Sequence, residues 1–292
     1  MRTLLALLLA LTALPSLAAD GLKPFVLASR GAGDPVAAAA EARAKLEAAG
    51  FLVAGSYQPY PGATVLVVTN DFLKAAAAAV PGASYGAAQR VTVTKVGDEV
   101  QVAFTNPTYM QHAYRMRTDL GSVTRKLAAT LGQLEEYGPK DAKTPKELKG
   151  YHYMFGMPYF DEPVEIASFP GHAAALEAVE AGLAAGRGGT RKVYRIDLPG
   201  TEDTLFGVAL SDGCSGDASI MKEVDFKPLR STGHLPYELL VSGGTVKALH
   251  AKFRIAVNFP DLSMMGSNSF MGIRCAPDAI EDALKRVAGT KK

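Results

Sequence analysis

Arg90-Val91-Thr92-Val93-Thr94, a turn at Val96-Gly97-Asp98, and Val100-Gln101-Val102-Ala103-Phe104 alternate apolar with polar side chains on both sides of a Gly-Asp pair. Period-two alternation interrupted by a turn signal defines a β-hairpin with one buried face. A second such pattern lies far downstream. There, Tyr237 to Val241 and His250 to Val257 flank Ser242-Gly243-Gly244, and both are expected to be strands.

Working outward, the surroundings of the two hairpins match. Upstream of the first, Asp34 is a natural N-cap, Pro35 suits the first helical position, and the alanine-rich run to Ala49 propagates until Gly50. Upstream of the second, Pro170-Gly171-His172 leads into Ala173 to Ala185, closed by Gly186. Strands are expected at Phe51 to Tyr57 and Thr64 to Thr69, and again at Lys192 to Leu198 and Thr204 to Leu210. A short helix follows in each case, at Ala75 to Val80 and at Ile220 to Phe226. Each unit closes on an amphipathic helix, Ser122 to Leu131 and Asp278 to Ala288.

An internal repeat fixes architecture before any motif is weighed. The expected fold is α+β: two similar repeats, each an antiparallel-rich sheet with helices on one face, packed as a pseudo-dimer. Residues 19–138 form the first repeat, 139–163 a linker with an aromatic strap, and 164–292 the second repeat. Within the linker, Tyr151-His152-Tyr153-Met154-Phe155-Gly156-Met157-Pro158-Tyr159-Phe160 is too aromatic to lie free in solvent and is expected to pack against the repeats. The groove between the repeats is the natural ligand site.

Residues 1–18 read as a secretion signal: Arg2 gives a positive start, Leu4 to Leu14 an apolar run, and Ser16-Leu17-Ala18 a cleavage site. The expected location is the periplasm, reached through a cleavable signal peptide, with no membrane span once it is removed. Without Arg2, 30 basic side chains face 29 acidic ones, so the mature chain carries no field that would draw nucleic acid or an anionic membrane. The expected partner is a small molecule or another periplasmic protein, and a homo-oligomer is compatible with the chain. Cys214 and Cys275, an even pair in an oxidising compartment, are expected to form a disulfide.

Several of these motifs resemble one known family. Gly50-Phe51, Thr64-Val65-Leu66-Val67-Val68-Thr69-Asn70, Arg90-Val91-Thr92-Val93, Gly97-Asp98 and Phe104-Thr105-Asn106-Pro107-Thr108-Tyr109 together resemble the domain of unknown function 302 family, over about residues 37 to 131. The resemblance implies a small α+β domain that tends to pair and has no established activity. It carries no catalytic residues onto this chain. Many members have a cysteine just before the position of Arg90, where this chain has Gln89. The tandem, exported form also departs from the family's usual single domain.

No motif marks a reaction centre. H-E-x-x-H and G-x-S-x-G are absent, and Ser219-Ile220-Met221-Lys222 fits S-x-x-K without its companion motifs. The leading expectation is therefore a non-catalytic periplasmic binding or accessory protein, with Tyr109, His112, Tyr114, Tyr151 and His152 as candidate ligand contacts. An alternative is a metal or redox protein. Met110, His112, Met116, His152, Met154 and Met157 place thioether beside imidazole, a donor set that suits copper. Copper or haem is compatible with the sequence, but no cofactor is required by it, and methionine is also a common core filler. A second alternative is an enzyme with an unrecognised site, which a carboxylate, serine or histidine of shifted pKa in a cleft would reveal.

Overall fold

The computed structural model describes residues 21–290. The signal-peptide reading of residues 1–18 lies outside them. The first half runs β1 (Phe25–Ala32), α1 (Pro35–Ala48), β2 (Leu52–Tyr57), β3 (Ala63–Thr69), α2 (Asp71–Ala78), β4 (Gln89–Val96), β5 (Glu99–Thr105), α3 (Pro107–Ala113) and α4 (Gly121–Leu131). Two short elements follow, β6 (Glu135–Tyr137) and α5 (Pro145–Lys149). The second half runs β7 (Val164–Ser168), α6 (His172–Ala184), β8 (Thr190–Asp197), β9 (Asp203–Leu210), α7 (Asp217–Val224), β10 (Tyr237–Ser242), β11 (Thr245–Ala248), α8 (Ala251–Asn258) and α9 (Ala276–Val287).

The fold is α+β with two antiparallel sheets. The first has the order β2-β3-β4-β5-β1-β6 and the second β7-β11-β10-β9-β8, so five strands follow the same course in both. The correspondence extends to register. A bulge falls between Val53 and Gly55 of β2 and between Lys192 and Tyr194 of β8; Gly55 then faces Val67, which faces Arg90, just as Tyr194 faces Gly207, which faces Glu238. Within each half the long helices cover one sheet face: α1 packs on β2 to β5, and α6 on β8, β10 and β11. The opposite faces turn toward the other half. The turn at Ala83–Ala87 reaches β9 and β10, while the turn at Thr232–His234 reaches β3, β4 and β5. Edge strands β2 and β8 also meet, and one cluster of buried apolar side chains runs through both halves.

Local chemistry accounts for the helix starts. The Asp34 carboxylate accepts from the Ala37 N–H at 2.8 Å, with Pro35 in the first turn. Asn70 caps α2 in the same way by accepting from the Leu73 N–H. In the linker, Thr144 and Glu147 form a reciprocal capping box.

The structure departs from the sequence reading at three places. The segment expected as a strand over His250 to Val257 is helix α8, and the second hairpin strand is the short β11. The His250 ring accepts from the Lys252 N–H at 3.2 Å, and every residue from Phe253 to Asn258 is buried. A helix buried all round has no polar face to mark its period, so its alternating residues imitated a strand. Strands β1 and β7 open the two halves ahead of the first helices, and α3 occupies the segment that follows β5; none of these was read from the sequence. The aromatic strap packs only in part. Phe160 is buried between Tyr114 and Phe253, whereas Phe155 is fully exposed at a turn.

Candidate functional site

Helix α7 lies where the halves meet and carries two cavities. Ala218, Met221, Lys222 and Asp225 fall at i, i+3, i+4 and i+7, one stripe of an α-helix. That stripe forms one wall of a cavity of about 550 Å³ whose other wall includes Tyr60, Thr94 and Lys95 from the first half. Around the other side of Ala218 lies a second cavity of about 350 Å³, with Tyr57 and Gln58 from the first half and Arg191, Ser211, Asp217 and Ser219 from the second. Ser219 and Lys222 of the S-x-x-K string therefore line different cavities.

Two carboxyls at the ends of this helix, Asp217 at its start and Asp225 just past its last turn, sit in unusual environments. Asp217 is buried; its Oδ2 accepts from the Tyr57 hydroxyl at 3.0 Å and from the Leu210 N–H at 3.3 Å, while Oδ1 has no partner among the described residues. Loss of water pushes its pKa up to about 7, against the opposing pull of those two donors and of the Arg254 and Arg191 charges. Asp225 accepts from the Ser231 N–H at 2.8 Å, and burial likewise pushes it up to about 7, opposed by that N–H and by Arg230. The Arg230 guanidinium bonds the Asp225 carbonyl. Above it, Tyr60 and Thr94 each share a hydrogen bond with the Thr232 hydroxyl, at 2.7 and 2.8 Å.

Behind Asp217 the halves are joined by a buried charged network. Glu238 accepts from Arg90 and from the Tyr194 hydroxyl (2.5 Å) on one oxygen, and from Arg254 (2.5 Å) on the other. Arg254 also bonds the His234 carbonyl and stacks over Tyr237 at 5.1 Å. All three charged side chains are about 1–2 % exposed. Desolvation and the two guanidinium charges hold His234 well below its usual pKa, and it stays neutral. Such a network cannot meet a ligand without opening the core, so its role is to join the halves.

The residues singled out from the sequence lie elsewhere, and none of the five candidate ligand contacts lines either cavity. Tyr109 is fully buried and donates to the Val257 carbonyl at 2.7 Å; Tyr114 is buried against Phe160. Tyr151 donates to the Ala256 carbonyl at 3.1 Å. His112 is half-buried, which lowers its pKa, and His152 pairs with Tyr159 at 3.4 Å. Of the thioethers, Met110 and Met116 are buried in the core, with Met116 against Gly86. Met154 is exposed, and Met157 lines a small apolar cavity with Tyr153, Met264 and Phe270. Among the described residues, no group of three or more His, Cys, Asp or Glu side chains is placed to hold a metal ion. Cys214 and Cys275 are joined, with Cα atoms 5.8 Å apart.

Sequence reasoning missed Asp225, Arg90, Glu238 and Arg254 as a group. The available signal was a charge inside an apolar run, as in Tyr237-Glu238-Leu239-Leu240-Val241 and Phe253-Arg254-Ile255. A buried charge is retained only when paired.

Comparison with known proteins adds no identity. No family model matches the chain, and neither a curated protein nor a solved structure matches it. The resemblance to the domain of unknown function 302 family therefore rests on the quoted residues alone. Among the described residues, no helix is long and apolar enough to cross a membrane.

Proposed function

We propose that this chain is an exported, non-catalytic binding or accessory protein built from a duplicated α+β unit, holding a small molecule in the cleft between its halves. The observation that carries this reading is the larger cavity, whose lining comes from both halves and centres on the stripe of α7. A volume of about 550 Å³ falls within the range of small-molecule sites, and junctions between domains are where such sites concentrate. Matching strand order and bulge register support the duplicated unit. The Cys214–Cys275 bond supports export to an oxidising compartment.

The test is a thermal-shift screen of small polar compounds against the wild-type mature protein and Ala218→Trp, which fills the cleft from an exposed position. The reading expects compounds that stabilise the wild type and not the variant. Compounds that stabilise both equally, or none at all, would contradict it.

A second reading, an enzyme using a carboxyl of the smaller cavity as acid or base, is supported by Asp217, whose pKa near 7 and unpartnered oxygen suit proton transfer. It expects turnover of a ligand in that smaller cavity, which Asp217→Asn abolishes while binding persists.

A further inference from the structure

Resting on the binding reading, we propose that the larger cavity takes a small organic polyanion whose carboxylate or phosphate groups are held by Lys95, Lys222 and Arg230. Three cationic side chains from three separate segments line one cavity against a single carboxyl, Asp225. The chain as a whole is nearly balanced, so the excess is local. The Lys95 and Lys222 ammonium groups make no hydrogen bond or ion pair among the described residues, so both are available to an anion in the cavity. Lining a concave surface with one sign of charge raises the local concentration of the opposite ion.

The neutral part of the wall agrees. Tyr60, Thr232 and Thr94 form a chain of three hydroxyls joined by two hydrogen bonds. Three hydroxyls carry three protons and two bonds use two of them, so one O–H and several lone pairs of the chain stay free for further hydrogen bonds. Both end residues line the cavity. Met221 and the half-exposed Phe226 give the same cavity an apolar side for the body of the ligand. Arg230 is fixed by its bond to the Asp225 carbonyl and by the bond from its own N–H to Gln101, so its charge is positioned beforehand.

Calorimetry on the full mature chain tests this with three probes: citrate, glycerol 3-phosphate and uncharged glycerol. The wild type is expected to bind citrate or glycerol 3-phosphate at one site, to ignore glycerol, and to lose at least tenfold in affinity in the Lys95→Gln/Lys222→Gln double variant. Both lysines are exposed, so the double variant keeps the fold. Which anion binds tells carboxylate from phosphate. Absence of binding by both anions, or binding unchanged in the double variant, overturns the proposal. The binding reading is tested separately: if neither anion binds and a neutral compound stabilises the wild type but not Ala218→Trp, the anion is overturned while the cleft stands as a ligand site.

Discussion

Arg90 and Glu238 stand at the same register position in the two sheets and form an ion pair with each other across the junction of the halves. In a self-paired dimer an element on the twofold axis meets its own copy, and a charge there would meet its like. Carrying the two sheets on one chain lets the position hold opposite charges. The same asymmetry continues one strand outward: where the first half has Gly55 facing Val67, the second has Tyr194 facing Gly207. A Cβ on Gly207 would lie 2.1 Å from the Tyr194 ring, so the missing side chain makes room for the phenol that reaches Glu238.

Removing the negative member of this network should be costly. Glu238→Gln leaves Arg90 and Arg254 buried without a counter-charge, and the expected loss is about 3–5 kcal/mol in urea denaturation. Replacing all three charged residues with apolar side chains of similar volume should recover most of it. A Glu238→Gln variant within about 0.5 kcal/mol of wild type would show that the pair does not join the halves as described.

The close approach of β2 and β8 depends on Gly55. A Cβ there would lie 2.1 Å from the Val193 carbonyl oxygen. Gly55→Ala should cost about 1–3 kcal/mol through displacement of the two edge strands. Hydrogen exchange should quicken at β2 and β8 and stay unchanged in β1 and β7. Uniform protection across all four strands would remove this contact from the account.

Asp225 should make stability fall as pH rises. Its folded-state pKa, about 7, exceeds the unfolded value of about 4, so the folded state holds the extra proton between the two. This contribution is complete below about pH 4, is lost progressively up to about pH 7, and is level above. One pKa unit is worth about 1.4 kcal/mol, so the penalty at pH 8 is a few kcal/mol. The groups around it are Arg230, Lys222, Lys95 and Tyr60. Asp225→Asn should be more stable than wild type at pH 8, with the gap closing toward pH 4. A gap independent of pH would contradict the assigned burial.

The Cys214–Cys275 bond ties the segment before α7 to the start of α9. Closing a loop of 61 residues stabilises by roughly 4 kcal/mol in the chain-entropy model. Cys214→Ser/Cys275→Ser should lower stability by about that amount, and dithiothreitol should lower the wild type but not the variant. Equal sensitivity to reductant in both would leave the bond without a stabilising role.

Much of the fold was legible because it is written in local pattern. The Arg90 to Phe104 hairpin, the capped α1 and the closing helices α4 and α9 each carry their own period and end signals. What was lost depends on distant partners. Strand β1 is a strand because it pairs with β5 and β6, far along the chain, and α8 lost its period by being buried on every side. The cleft was expected between the halves, but its lining was not. Tyr109 and Tyr114 attracted attention by composition and proved to be core, whereas Lys95, Lys222 and Asp225 look like ordinary surface charges until the fold brings them to one cavity.

The most direct measurement is native mass spectrometry of the untagged protein, purified without added ligand and run beside Ala218→Trp prepared identically. The account predicts a wild-type chain carrying one small acidic molecule that is missing from the variant. The same mass for both after allowing for the substitution, or a bound molecule that persists in Ala218→Trp, would contradict a ligand site between the halves.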